Sequence, residues 1–253
     1  MQCPKAVIFD LDNTLADPYR APSREMAERL QRLIPLLPTA IMSAASLERM
    51  QEGVLRALPP ATYSSLLLFT ANAAQAYAWS GSGWAIQYRF DFEPAERARI
   101  EKALHEAADK TDALDAPQVY GKQFVDYEGY VAFTALGTDA PAGLRSTWDP
   151  DQKKRRAMKE QLDTMIPEFD VLIGGATTID ITRKGINKAH GVRWLAERLK
   201  LQPQEMLYVG DALYEGGNDA VVTPTGIQTR STTGPAETLS ILDELITACA
   251  ATA

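Results

Sequence analysis

Asp10 and Asp12 stand one residue apart at the end of an apolar run, in KAVIFDLDNTLADP. Carboxylates held that close raise each other's pKa unless positive charge sits between them. A chain that puts such a pair at the lip of a hydrophobic strand is equipped to hold a cation or to attack phosphorus. Further polar groups follow apolar runs in the same way: Ser43 after TAIM and Asp211 after MLYVG. Lys188 follows Asn187, a residue suited to capping the helix that comes next. A lysine in that first turn adds its ammonium to a helix end that already attracts anions.

The chemistry that needs these types together is phosphoryl transfer. Asp10 would attack phosphorus and form an aspartyl-phosphate. Asp12 would protonate the leaving oxygen and later deprotonate the incoming one. Lys188 and the Ser43 hydroxyl would hold the phosphate oxygens, so that charge in the transition state meets fixed positive partners. Mg²⁺ takes oxygen ligands and keeps waters; Asp10, the Asp12 backbone carbonyl and Asp211 would supply its protein ligands. Asp219 would support that metal through water or orient Lys188. Taken singly, Ser43 reads as a helix cap, Lys188 as a solvated surface residue and the GGND at 216–219 as a turn. Their joint order and spacing carry the functional reading.

The elements that must position these groups follow from hydrophobic periodicity. Residues 5–10, 39–42, 66–69 and 206–209 are short apolar runs that suit buried parallel strands. Between them lie helical stretches, one opening at Pro22 and Ser23 with Met26, Leu30, Leu33 and Ile34 on one face. Another carries Ala189, Val192, Leu195, Ala196 and Leu199. Strand–helix alternation of this kind predicts an α/β fold with a doubly wound parallel sheet, and such sheets place ligands at the carboxyl ends of their strands. From residue 75 the texture changes. A hairpin around SGSG, helices over 94–113 and 150–165, and strands over 119–136 and 169–182 predict an inserted α+β cap domain. The expected boundaries are core 1–80, cap 81–183 and core 184–253. Trp79, Trp84 and Trp148 read as cap core, and the basic run Lys153 to Arg156 as a solvated helix face with one member lining the cap cleft as the alternative.

Bulk properties narrow the class. A chain of 253 residues, 45% hydrophobic and 23% charged, buries a core without staples. Its net charge of −7 argues against nucleic-acid and anionic-membrane partners. No apolar run approaches a membrane span. Met1 leads almost directly into the first strand, so no signal peptide is expected. Cys3 and Cys249 lie near opposite ends without metal-ligand spacing, and read as free thiols of a cytoplasmic protein.

In order, these residues resemble the haloacid dehalogenase superfamily of Mg²⁺-dependent phosphotransferases. Asp10-Leu-Asp12-Asn-Thr14 is similar to its first motif, with Asn13 in place of the usual glycine; Asn is the next-best residue at a left-handed position. Ser43 corresponds to the second motif, Lys188 to the third, and Gly210-Asp211 with Asn218-Asp219 to the fourth. The insertion has the position and size of a type IIB cap. The eight-residue spacing of Asp211 and Asp219, with SLERMQEGV, Asn72, IGGATTIDI and TGPAETLSIL, resembles the eukaryotic-type phosphomannomutases over nearly the whole chain.

That resemblance implies that Thr178 and Asp180 contact sugar, that Arg20 is the family's core arginine, and that Arg145 grips a distal phosphate. It also implies a homodimer formed through the cap, although no interface stripe is legible. Two further cap arginines of the family fall on Tyr127 and Thr138. Each lost charge-assisted contact is worth roughly 1.5–3 kcal/mol, so a bisphosphorylated intermediate would be poorly retained. The expectation is therefore a Mg²⁺-dependent phosphatase of a small phosphorylated sugar. The alternatives are a phosphomannomutase interconverting mannose 1-phosphate and mannose 6-phosphate, and a sugar-phosphate binding module without turnover.

Overall fold

In the computed structural model, which describes residues 2–18, 20–111, 113, 118–127 and 129–251, the run AVIF forms β1 (Ala6–Phe9), uniformly buried. It is followed by α1 (Arg24–Leu33), β2 (Thr39–Met42), α2 (Leu47–Met50, continued by a wide helical turn over Gln51–Leu55) and β3 (Leu66–Thr70). The hairpin β4 (Gln75–Trp79) and β5 (Trp84–Arg89) comes next. Then follow α3 (Pro94–Lys110), β6 (Phe124–Asp126), β7 (Val131–Thr134), α4 (Ala142–Trp148), α5 (Lys153–Met165), β8 (Phe169–Gly174) and β9 (Thr178–Arg183). After them stand α6 (Lys188–Leu199), β10 (Met206–Gly210), β11 (Gln228–Ser231) and α7 (Pro235–Ala250).

These elements divide into two units, Met1–Arg89 with Asn187–Ala253, and Phe90–Ile186. The first is built on a seven-stranded sheet of order β11-β10-β1-β2-β3-β4-β5. Its first five strands are parallel, and the β4–β5 hairpin adds two antiparallel strands at one edge. Side chains alternate across β1. Val7 and Phe9 pack with Met26, Leu30 and Leu33 of α1 and Ile241 and Leu245 of α7. Ala6 and Ile8 pack with Val192, Leu195 and Ala196 of α6. Both faces are covered, as the α/β reading requires.

Register fixes where the polar groups emerge. Phe9 lies beside Ile41 of β2 and Val209 of β10, so Asp10, Ser43 and Asp211 all leave the sheet at the same end. The helices are started by the residues expected. Ser23 Oγ accepts from Met26 N at the head of α1, and Asn187 Oδ1 accepts from Ala189 N and His190 N at the head of α6. Gly191 lets α6 lie close on the strand ends; a Cβ there would stand 2.5 Å from Met42 Cε and 2.8 Å from Ala73 Cβ.

The second unit carries a four-stranded antiparallel sheet of order β6-β7-β9-β8. Ile100 and Leu104 of α3 and Met158 and Leu162 of α5 cover the face formed by Val131, Phe133, Ile179 and Ile181. This is the α+β insertion.

Several expectations need correction. Because β4 pairs with β3, the hairpin belongs to the core sheet, and the unit junctions fall at 89/90 and 186/187 rather than 80/81 and 183/184. Trp79 and Trp84 are therefore not cap core: they meet each other edge to face and pack against the Tyr63 ring in the first unit. Trp148 does pack on the core of the second unit. Arg155 is not solvated; it is buried against Asp149. Finally, Cys3 and Cys249 are not free thiols but a disulfide, with Cα atoms 4.9 Å apart. The physical reason is that α7 packs on the same face of β1 that Cys3 approaches, and sequence distance conceals this meeting.

The bridge closes a loop of 246 residues, and confining so long a loop in the unfolded chain raises stability by roughly 2–4 kcal/mol. Cys3→Ser is expected to lower the free energy of urea unfolding by about that amount, and dithiothreitol to lower the wild type to the variant's level. Equal unfolding midpoints for wild type and variant without reductant would contradict the bridge.

Candidate active site

The turn after β1 is fixed by its backbone. The Leu11 carbonyl accepts from Thr14, Leu15 and Ala16 N–H groups, and Asn13 takes a left-handed φ of 58°. Asn reaches that region more readily than other side chains, so the replacement of glycine at this position is accommodated. Asp10 is buried and its backbone N–H donates to the Val209 carbonyl. Ser43 is also buried. Its Oγ accepts from Ala45 N at 3.1 Å and its carbonyl accepts from Asn72 N.

Lys188, 1% exposed, reaches from the first turn of α6 into a group of acids. Its Nζ stands 2.5 Å from Asp10 Oδ1 and 2.6 Å from Asp219 Oδ1. Asp219 is held from two further sides, by the Tyr208 hydroxyl at 2.6 Å and by Ala212 N at 3.1 Å. Gly210 makes room for it, since a Cβ there would lie 2.3 Å from Asp219 Oδ2. Asp211 accepts from the Thr14 hydroxyl at 3.4 Å.

Charge in this group does not balance. One carboxylate oxygen each from Asp10, Asp211 and Asp219 lies within 4.8 Å of the others. With all three ionised, the carboxylates would exceed the one ammonium by two negative charges. Burial pushes the Asp10 carboxyl from 3.8 up to about 8, with Asp219 and Asp211 adding to the rise and Lys188 opposing it. Asp211 is raised for the same reasons, burial first and then Asp219. Burial alone would lower Lys188, but Asp10 and Asp219 reverse that, and the ammonium stays charged beyond its ordinary range. A set of hard oxygen donors with this excess charge fits a divalent cation such as Mg²⁺. Asp10 and Asp211 are the side chains best placed to hold it. Both Asp219 oxygens already accept hydrogen bonds, which favours its role in orienting Lys188. When bound, the ion would offset the carboxylates and the charge of an incoming phosphate.

Asp12 is outside the three-acid group; its Oδ1 stands 2.5 Å from Arg49 Nη2. Arg20 is exposed on the loop that follows β1. In the second unit, Thr178 and Asp180 share a face of β9, Asp180 buried and Thr178 half-buried. Arg145 donates to the backbone carbonyls of Ala140, Thr138 and Gly137. Two partners escaped the sequence reading. Tyr208 was visible only as an apolar strand residue, and Arg49 sits on a short helix whose periodicity carries no signal.

Residues 141–219 match the family model for haloacid dehalogenase-like hydrolases. Phosphomannomutase 2 of Dictyostelium discoideum is 27% identical over 248 residues, covering 94% of each chain. Among solved structures, IMP-nucleotidase of Plasmodium falciparum with bound IMP superposes with a TM-score of 0.69 at 17% identity, covering 97% of this chain and 68% of that one. The C-terminal domain of C. albicans trehalose-6-phosphate phosphatase gives 0.63 at 15% identity, covering 96% and 92%. Fold, motif order and similarity liken the chain to the haloacid dehalogenase superfamily, a class of phosphoryl-transfer enzymes. Within that class its sequence is phosphomannomutase-like.

The raised Asp10 pKa makes stability depend on pH with a defined sign. Between 3.8 and about 8 the folded state keeps a proton that the unfolded chain has released, so stability falls as pH rises through that window. Relative to Asp10→Asn, which cannot ionise there, the metal-free wild type is expected to lose melting temperature between about pH 5 and about pH 8. Mg²⁺ should restore more of it at the higher pH. An equal Mg²⁺ shift at both pH values would contradict the assignment.

Proposed function

We propose that this enzyme is a Mg²⁺-dependent phosphatase of a small phosphorylated sugar. Asp10 is the nucleophile in this reading, forming an aspartyl-phosphate, and Asp12 is the acid that protonates the leaving oxygen. Lys188 and the Ser43 hydroxyl hold phosphate oxygens, Asp211 is a metal ligand with Asp10, and Asp219 holds Lys188 in place. Water activated by Asp12 then cleaves the acyl phosphate.

The observation that favours hydrolysis over isomerisation lies in the second unit. A mutase must grip a bisphosphorylated intermediate at its distal phosphate, and guanidinium forks are the groups suited to that task. Here Tyr127 stacks on Tyr130 at 4.7 Å, and the Thr138 hydroxyl accepts from Lys122 N. Arg145 is bound to three backbone carbonyls. Arg155, the candidate substitute, is buried on Asp149 and on the carbonyls of Gly174 and Gly175. Each of these positions is engaged with the protein itself. The second reading, a phosphomannomutase, is favoured by the similarity to phosphomannomutase 2 over 94% of the chain and by Thr178 and Asp180 on one face of β9.

Incubation with Mg²⁺ and mannose 1-phosphate is expected to release inorganic phosphate, with or without a hexose bisphosphate activator. Asp10→Asn should reduce that release about a thousandfold or more while keeping the wild-type circular dichroism spectrum. Mannose 6-phosphate accumulating in place of free phosphate would establish the mutase instead.

A further inference from the structure

We propose that Arg49 is a positioning residue for the reaction, fixing the carboxylate of Asp12 in the orientation that proton transfer requires. The proposal rests on the reading of Asp12 as the acid–base group.

The two residues are 37 positions apart, yet Arg49 Nη2 approaches Asp12 Oδ1 to 2.5 Å. Both ends of this contact are built. Arg49 stands in the first turn of α2, where its backbone N–H donates to the Oγ of Ser46, the capping residue. Asp12 stands on the turn after β1, whose backbone is held by the Leu11 carbonyl and the left-handed Asn13. The main chain at Asp12 therefore has little freedom, and its χ angles are what remain to be set.

Partial exposure makes that setting consequential. The Asp12 side chain is 28% exposed and that of Arg49 30%. A carboxylate so open to water samples several rotamers unless a partner selects one. A guanidinium is suited to the task because its planar fork fixes direction as well as distance, whereas an ammonium acts as a point charge. Misplacement of a reacting group by about 1 Å costs on the order of a hundredfold in rate. Sequence placement supports a role at this site and not elsewhere: α2 starts a few residues after Ser43, on the loop that leaves the same end of the sheet as Asp10.

The test is a double-mutant cycle on full-length protein with Mg²⁺ and mannose 1-phosphate, reading phosphate release, kcat and KM separately, and melting temperature. Arg49→Ala is expected to lower kcat about 10- to 100-fold, with KM changed by no more than about twofold. Arg49→Lys should recover part of the loss, and added guanidinium ion should partly rescue Arg49→Ala. In an Asp12→Ala background, Arg49→Ala should cause no further loss, since the group it positions is gone. Wild-type kcat in Arg49→Ala, with Asp12→Ala inactive, overturns the role of Arg49 and leaves that of Asp12 standing. A loss confined to KM identifies Arg49 as a substrate contact and also overturns the proposal. Full activity in Asp12→Ala overturns the acid–base reading itself, and the positioning role with it.

Discussion

A lysine ammonium buried between two carboxylates is the constraint around which the first unit is organised. Lys188 is 1% exposed, and a charge so far from water is tolerated only with close, well-directed partners. Asp10 and Asp219 supply them, and each is held in turn: Asp10 by the backbone of β10, Asp219 by Tyr208 and Ala212. The requirement spreads outward. Asn187 starts α6 at the point that aims Lys188 inward, Gly191 lets that helix sit close on the strand ends, and Gly210 leaves room for Asp219. Local sequence choices far apart in the chain thus serve one electrostatic arrangement.

That arrangement is incomplete in its charge, and the imbalance has chemical meaning. Burial and neighbouring acids push the Asp10 carboxyl up, which disfavours the charged form that attacks phosphorus. A divalent cation beside Asp10 and Asp211 would lower its pKa and attract a phosphate to the same place. In the proposed reaction the same residues would serve cation binding, substrate binding and attack. The second unit contributes differently. Its buried Arg155 ties the start of α5 to the Gly174–Gly175 turn, leading the chain into β9, where Thr178 and Asp180 share a face. Arg145 and Arg155 act there as internal braces on the backbone.

Much of the first unit was legible because buried parallel strands leave a strong local mark. TAIM and AVIF are short, apolar and abruptly ended by polar groups, and the bounds of β2 follow from its four residues alone. Ser23 and Asn187 were legible as caps because capping depends on a residue and its immediate successors. Other features depend on partners that local sequence does not reveal. The strand β11 is QTRS, wholly exposed at a sheet edge, and carries no hydrophobic pattern. The β4–β5 hairpin reads the same whether it joins the core sheet or the insertion; only pairing with β3 decides. The Cys3–Cys249 bridge and the Arg49–Asp12 contact join residues 246 and 37 positions apart, and neither has a local signature.

The central claim, that Asp10 accepts the phosphoryl group beside Lys188 and a bound divalent cation, is tested most directly by trapping the covalent enzyme. Rapid acid quench of the enzyme turning over radiolabelled mannose 1-phosphate with Mg²⁺, followed by peptide mapping, should place the label on the peptide containing Asp10, and chelation of the metal should abolish it. Label on a different peptide, or turnover with no labelled enzyme at any quench time, would contradict the account.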